Sequence, residues 1–308
     1  MNKLEANVSL FIITFFAAIQ YAFLSGVPES ISHFAFLCVT NLIGFLLVLA
    51  MFFSELFRLD KNLVKQSAIL SAELFGFNFF ILLGSKNIDA TVTACVLSSY
   101  FVFVPPFAYL FFKQKPDKNS LIGIAIVLVG IFFMMNCNIR GLLKMNIFFL
   151  IIADVFFAIY ILTTGHFTAG SNPSILALGQ LYFNFIFSLV CWTVEMIWKH
   201  QTMSLPKAPA FWGSVIFISF FIRGLYSVIQ IYAQRYVSAL NTSLIFSTEI
   251  IMTMAATPVL TKLFSMQTEE GNITVFRIIG AIVMVVGILA SDSSVTDGLL
   301  NKWRADHE

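Results

Sequence analysis

Apolar runs of about 18 to 25 residues, each followed by a short polar break, recur ten times along the chain, and each is long enough to cross the hydrocarbon core as a helix. They occupy 7–24, 33–53, 66–84, 90–111, 119–136, 145–164, 174–198, 210–233, 239–261 and 273–291. The runs are rich in Leu, Ile and Phe and lack the polar/apolar alternation of an outer-membrane barrel strand, so the pattern predicts helices. The first run reads as span 1 rather than a signal peptide, because nine more follow and no small-residue cleavage pattern closes it. The expected architecture is an all-α membrane protein of ten transmembrane helices.

Composition narrows the function classes. With 59% hydrophobic and 11% charged residues and a mean hydropathy of +0.89, the chain lies far outside the range of soluble domains. A net charge of +2, scattered through short loops, implies no nucleic-acid partner. Cys38, Cys95, Cys137 and Cys191 lie in or beside spans with no CxxC pair, and act as small apolar residues. No cofactor or metal site is expected.

The second half repeats the first in weakened form. Gly123-Ile-Ala-Ile-Val-Leu-Val-Gly130 recurs as Gly280-Ala-Ile-Val-Met-Val-Val-Gly287, and Ala90-Thr-Val-Thr-Ala-Cys-Val-Leu-Ser98 as Ala239-Leu-Asn-Thr-Ser-Leu-Ile-Phe-Ser247. Residues 1–140 and 141–293 then form two five-span units, with 294–308 as a cytoplasmic tail. An odd-numbered repeat enters the membrane in opposite senses, which places a site near the midplane between the halves. In the first half, seven Lys and Arg (Lys3, Arg58, Lys61, Lys65, Lys113, Lys115 and Lys118) fall on one side against Lys86 on the other. By the positive-inside rule the N-terminus, and with ten spans the C-terminus, face the cytoplasm. The second half opposes this, with Arg140, Lys144, Lys199, Lys207, Lys262 and Arg277 outside, but early helices usually dominate orientation.

The segment from Ala239 to Glu249, with the Gly280 to Gly287 helix behind it and the matching layout through Ala90, Ser98, Tyr100 and Gly123, resembles the repeat of the drug/metabolite transporter superfamily, EamA-like branch. The resemblance covers essentially the whole chain. It departs from the usual pattern where a Glu-Pro pair is Glu249-Ile250 here, with Pro258 arriving later, and where the first copy has Tyr100 and a delayed Pro105-Pro106. The resemblance implies secondary transport of a small organic molecule by alternating access. It also implies a central cavity lined mainly by spans 1, 3, 4, 6, 8 and 9, with spans 5 and 10 supporting.

Ionisable residues inside a span cost about 2.5 to 3.5 kcal/mol at the bilayer centre by insertion scales, so each needs a reason. Asp154, Arg223 and Glu249 fall near the midplane; Glu73 reads as shallower. In span 8, Ser219, Arg223, Tyr226, Ser227, Gln230 and Gln234 share a sector of roughly 100° at helical spacing. Their repeat partners in span 3 are largely apolar: Leu70, Leu74, Phe77, Asn78 and Ile81 stand opposite Ser219, Arg223, Tyr226, Ser227 and Gln230. A cavity polar on one side and aromatic on the other suits an amphipathic solute. Arg223 either anchors a substrate carboxylate or forms a structural ion pair with Asp154 or Glu249. Asp154, Glu249 and Glu73 are the candidates for proton coupling or cation recognition. Tyr226, Ser227, Gln230, Asn78, Tyr100, Gln20 and Tyr160 complete the candidate substrate site by depth. Gly123, Gly130, Gly280 and Gly287 allow close helix packing, with a homodimer seam as a second use.

No GxSxG, HExxH or P-loop occurs, and His33, His166, His200 and His307 sit at span edges, in loops or in the tail, so an enzyme is not expected. The expectation is a cytoplasmic-membrane exporter of a small zwitterionic or anionic metabolite, such as an amino acid, in contact with membrane lipid. Uptake of a cationic metabolite is the alternative within the same class. A channel or a non-transporting membrane scaffold is the alternative outside it.

Overall fold

The computed structural model describes residues 1–24, 27, 31–58, 60–84, 93, 96–115, 118–134, 145–200, 209–264 and 274–291, though not the side chains of Tyr21, Ala22, Leu24, Met134, Ala210, residues 257–264, Leu289 and Ser291. Among these residues every regular element is helical. In chain order α1 is Lys3–Leu24, α2 His33–Phe52 with a 3-10 extension Phe53–Arg58, and α3 Lys61–Gly84. Next, α4 is Val104–Phe112 led by a 3-10 turn Ser98–Val102, followed by α5 Lys118–Met134, α6 Met145–Gly170 and α7 Pro173–Lys199. The span α8 is built of Pro209–Phe217, a π-helical Ile218–Tyr226 and Ser227–Ala233; α9 is Ala239–Ser247 and Glu249–Phe264; α10 is Val275–Ser291.

Seven of these are long and apolar enough to cross a membrane among the described residues, namely α1, α2, α3, α6, α7, α8 and α9. Helices α5 and α10 are shorter apolar helices, and the regular α-helical part of α4 is nine residues. The predicted fourth run begins at residues 90–92 and the fifth ends at 135–136, both outside the described residues. Lys86, Cys95, Cys137, Arg140, Lys144, Lys207 and the 294–308 tail lie outside them too.

Local chemistry sets the helix ends. Ser32 accepts from the Phe34 and Ala35 N–H groups at the start of α2, and Ser238 accepts from Asn241 N–H at the start of α9. Asn172 caps α7, with Pro173 in the first turn, where its missing N–H costs nothing. Ser171 and Asn172 alone separate α6 from α7, which forces an antiparallel hairpin. Lys113 and His200 close α4 and α7 in the left-handed conformation, φ 57° and 51°.

The hairpin packs its long helices on α3 and α2, while α1 lies against α8 and α9. A central core formed by Leu10, Leu70, Tyr100, Phe101, Phe157, Tyr160, Ile161, Leu244 and Phe246 joins α1, α3, α4, α6 and α9. A second cluster, of Phe36, Phe211, Val215, Ile218 and Ile222, binds α8 to α2, and Phe16 and Phe23 of α1 stack on Phe221 and Phe217. Phenylalanines therefore divide between packing and an outer apolar surface, where Phe11, Phe15 and Phe148 stand exposed.

Helices α5 and α10 pair closely with each other, through glycine. A β-carbon on Gly130 would fall 2.6 Å from Met284 Cγ and 2.8 Å from the Gly280 carbonyl oxygen; one on Gly287 would fall 2.7 Å from Val127 Cγ2 and 2.9 Å from the Gly123 carbonyl oxygen. The two contacts are counterparts of one another in the repeat register. The glycine faces are thus occupied inside the chain, and a homodimer seam through them would have to displace this pair.

Candidate functional site

Arg223 and Tyr226 sit in the π-helical part of α8. Hydrogen bonding from i to i+5 widens the turn, so each residue advances by a smaller angle than in a regular helix. Ser219 and Arg223 still share a face, since a β-carbon placed on Gly44 of α2 would meet both Arg223 Cβ and the Ser219 carbonyl oxygen. A wide turn of this kind is frequent at functional sites.

The stripe itself is inward. Ser219, Ser227, Gln230 and Gln234 are buried, and Arg223 and Tyr226 are half-buried. Gln234 Nε2 donates to the Ile161 carbonyl at 3.1 Å, which ties α8 to α6. Ser219 Oγ, Gln230 Nε2 and Arg223 Nε are buried without a hydrogen-bond partner among the described residues. Arg223 has no ion pair with Asp154 or Glu249, so the structural-pair alternative for it is not realised; the ion pairs among the described residues are Met1–Glu5, Glu55–Arg58 and Glu195–Lys199, at helix ends. On the far side Gly44 of α2 lies directly on the root of Arg223: a β-carbon at 44 would come 2.5 Å from Arg223 Cβ.

Asp154 and Glu73 find hydroxyl partners instead. Ser99 Oγ, in the 3-10 turn that leads α4, donates to Asp154 Oδ2 at 2.7 Å, while Asp154 Oδ1 is buried without a partner. Thr163 Oγ1 of α6 bonds Glu73 Oε2. Glu73 falls at the middle of α3, since the helix extends upstream of the apolar run to Lys61. Glu249 opens the second segment of α9, just after Thr248, where the N–H of Thr248 reaches Ile245 and that of Ile251 reaches Thr248 in i to i−3 bonds. The matching place in α4 is also tightened, with the Phe103 N–H on the Tyr100 carbonyl.

The remaining candidates disperse. Tyr100 Oη donates to the Ser243 carbonyl at 3.2 Å, joining α4 to α9, and Tyr160 Oη bonds Gln180 Oε1 at 3.2 Å, joining α6 to α7. Asn78 Nδ2 returns to the Leu74 carbonyl of its own helix. Gln20 is half-buried near the end of α1. Tyr226 packs obliquely on Phe246 at 5.4 Å. Sequence reasoning passed over the buried row Gln180, Asn184 and Ser188 on α7, which meets Asn41 of α2. Its spacing of four was the available signal.

Two clefts are bounded by residues other than Arg223. One, of about 330 Å³, is bounded by Asn7, Val8, Phe11, Asn241, Leu244, Ile245 and Ile288. The other, of about 490 Å³, is polar and is bounded by Glu55, Ser171, Asn172, Ser174, Tyr232 and Arg235 among others. Among the described residues no group of three His, Cys, Asp or Glu could hold a metal ion.

Comparison with known proteins agrees with this arrangement of helices. Residues 5–136 match the EamA-like transporter family. An uncharacterised transporter of Archaeoglobus fulgidus is 23% identical over 294 residues, covering 94% of this chain and 86% of the relative. The uncharacterised transporter YyaM of Bacillus subtilis is 22% identical over 244 residues, covering 77% and 76%. A solved crystal structure superposes with a TM-score of 0.71 over 96% of this chain and 98% of its own, at 13% identity, and speaks to the fold alone. Residues 5–136 thus carry an EamA-like transporter domain, and the whole chain, an all-helical membrane fold, is similar to two relatives named as transporters.

Proposed function

We propose that this transporter is a secondary carrier that exports a small amphipathic zwitterion or anion, such as an amino acid, across the cytoplasmic membrane by alternating access, with Arg223 as the carboxylate anchor. The observation that carries the reading is the unpartnered Nε of Arg223 in a π-helical turn halfway through the bundle. A permanently charged guanidinium with a buried nitrogen left without an acceptor is costly, and an incoming carboxylate supplies what it lacks. Tyr226, Phe246 and Phe157 supply an aromatic surface nearby for an apolar body.

Two features support a ten-span chain of two inverted halves, 1–140 and 141–293, moving against each other. The α5–α10 contact is reciprocal in the repeat register, and α4 and α9 are interrupted at matching positions, as in carriers whose sites form at broken helices. The cluster of Lys and Arg at the ends of α1, α2, α3, α4 and α5 supports cytoplasmic termini.

The test is binding and exchange of phenylalanine and a panel of other amino acids by the purified chain in proteoliposomes. Replacing Arg223→Gln should lower affinity by about 10- to 100-fold, the value of a charge-assisted hydrogen bond. Unchanged affinity in a folded Arg223→Gln protein would rule out carboxylate anchoring.

A further inference from the structure

We propose that Glu73, with Thr163 as its switchable partner, is the proton-carrying site of this transporter, and that Asp154 is not. This rests on the carrier reading above and assigns its coupling group.

Thr163 Oγ1 is within hydrogen-bond reach of three acceptors: Glu73 Oε2, the Ile159 carbonyl at 3.0 Å and the Tyr160 carbonyl at 3.2 Å. A hydroxyl has one proton to give and lone pairs to receive another. When Glu73 is ionised, Thr163 donates to Oε2. When Glu73 carries a proton, Oε2–H donates to Thr163 Oγ1, and the threonine proton turns to the Ile159 or Tyr160 carbonyl. Both charge states are satisfied without moving a helix, and a carrier that must load and release a proton in each cycle needs that. The half-buried position of Glu73 leaves a route for the proton.

Asp154 lacks both properties. It is 0% exposed, and its bond to Ser99 leaves Oδ1 without a donor in the ionised form. Its environment serves one charge state only.

Among the other ionisable groups, the buried Tyr160 of α6 is electrostatically coupled to Glu73. On α6, Asp154 sits more than two turns away and His166 is exposed against Phe112; on α7, Glu195 and Lys199 pair with each other at the far end. Tyr160 is bonded to Gln180. On α3 itself, Lys61 and Lys65 are exposed at the helix start.

Infrared difference spectroscopy of the full chain in proteoliposomes, recorded while pH is stepped, reads carboxyl protonation without any substrate. A protonated-carboxyl band that disappears as pH rises should be lost in Glu73→Gln and moved in frequency in Thr163→Val. It should be kept in Thr163→Ser and in Asp154→Asn. A band that survives Glu73→Gln, or that vanishes in Asp154→Asn, overturns the assignment. If Glu73→Gln fails to fold, the Thr163→Val shift decides.

With phenylalanine as probe, Glu73→Gln should keep exchange at zero pH gradient and lose accumulation driven by the gradient; gradient-driven accumulation that persists in this variant also overturns the assignment. Failure of the Arg223 reading shows differently, as Arg223→Gln exchange and affinity equal to those of the unaltered chain, while the infrared result stands by itself.

Discussion

Two pairs of helices related by the internal repeat have met opposite fates. Helices α5 and α10 still obey it to the level of single contacts, Gly130 on Gly280 and Met284, Gly287 on Gly123 and Val127. Helices α3 and α8 have departed from it: where α8 carries Ser219, Arg223, Tyr226 and Gln230 on a π-helical turn and the helix after it, α3 carries Leu70, Leu74, Phe77 and Ile81 in regular helix. The first pair does a packing task that is the same seen from either half. On the function proposed above, the second would face a solute with two different ends, for which two unlike walls are suited.

The strongest way to break the comparison is to overfill the symmetrical pair. Gly130→Val or Gly287→Val places atoms on a backbone carbonyl that cannot turn aside, so the helices must separate. Each should cost about 1 to 3 kcal/mol or more, and the double variant should fail to give a monodisperse protein in size-exclusion chromatography. A double variant with an unchanged melting temperature would deny that this contact holds the fold. On the asymmetrical pair, Gly44→Ala presses a methyl group into Arg223 from α2. Its expected signature is a loss of amino-acid affinity of roughly tenfold with a smaller change in melting temperature, since strain falls on the binding side chain. Equal affinity in binding assays would mean that the Arg223 root has room to spare.

Gln234→Leu removes the tie from α8 to the Ile161 carbonyl and should lower stability by about 1 kcal/mol, read as a melting shift, with affinity retained. The mildest change is Tyr100→Phe. It deletes the hydroxyl that meets the Ser243 carbonyl while keeping the ring against Phe157, and should cost about 0.5 to 1.5 kcal/mol with exchange near that of the unaltered chain. Strong loss of phenylalanine exchange in this variant would move Tyr100 from the frame of the molecule to its site.

Seven of the expected spans were legible because hydrocarbon imposes a length and an apolar composition that short-range reading detects. The inward stripe on α8 was legible for the same reason, as polar side chains at one angle cannot face lipid. Its details were not. A π-helical turn such as Ile218–Tyr226 leaves no clear mark in the spacing of polar residues, so the angle each residue takes around α8 is not legible there. The start of α3 was hidden because Lys61 and Lys65 interrupt the apolar run while the helix continues through them. Partner choice was hidden for a different reason. Ser99 with Asp154, and Thr163 with Glu73, are contacts between distant parts of the chain, and nothing local to either acid marks which hydroxyl it meets.

The turn of Ser171 and Asn172 leaves α6 and α7 little freedom to slide past one another. Its tip is fastened to the first half of the chain, for Asn172 Nδ2 donates to Glu55 Oε2 and Ser171 Oγ to Gln66 Oε1. Two side-chain bonds at one turn thus fix where the hairpin stands along both α2 and α3.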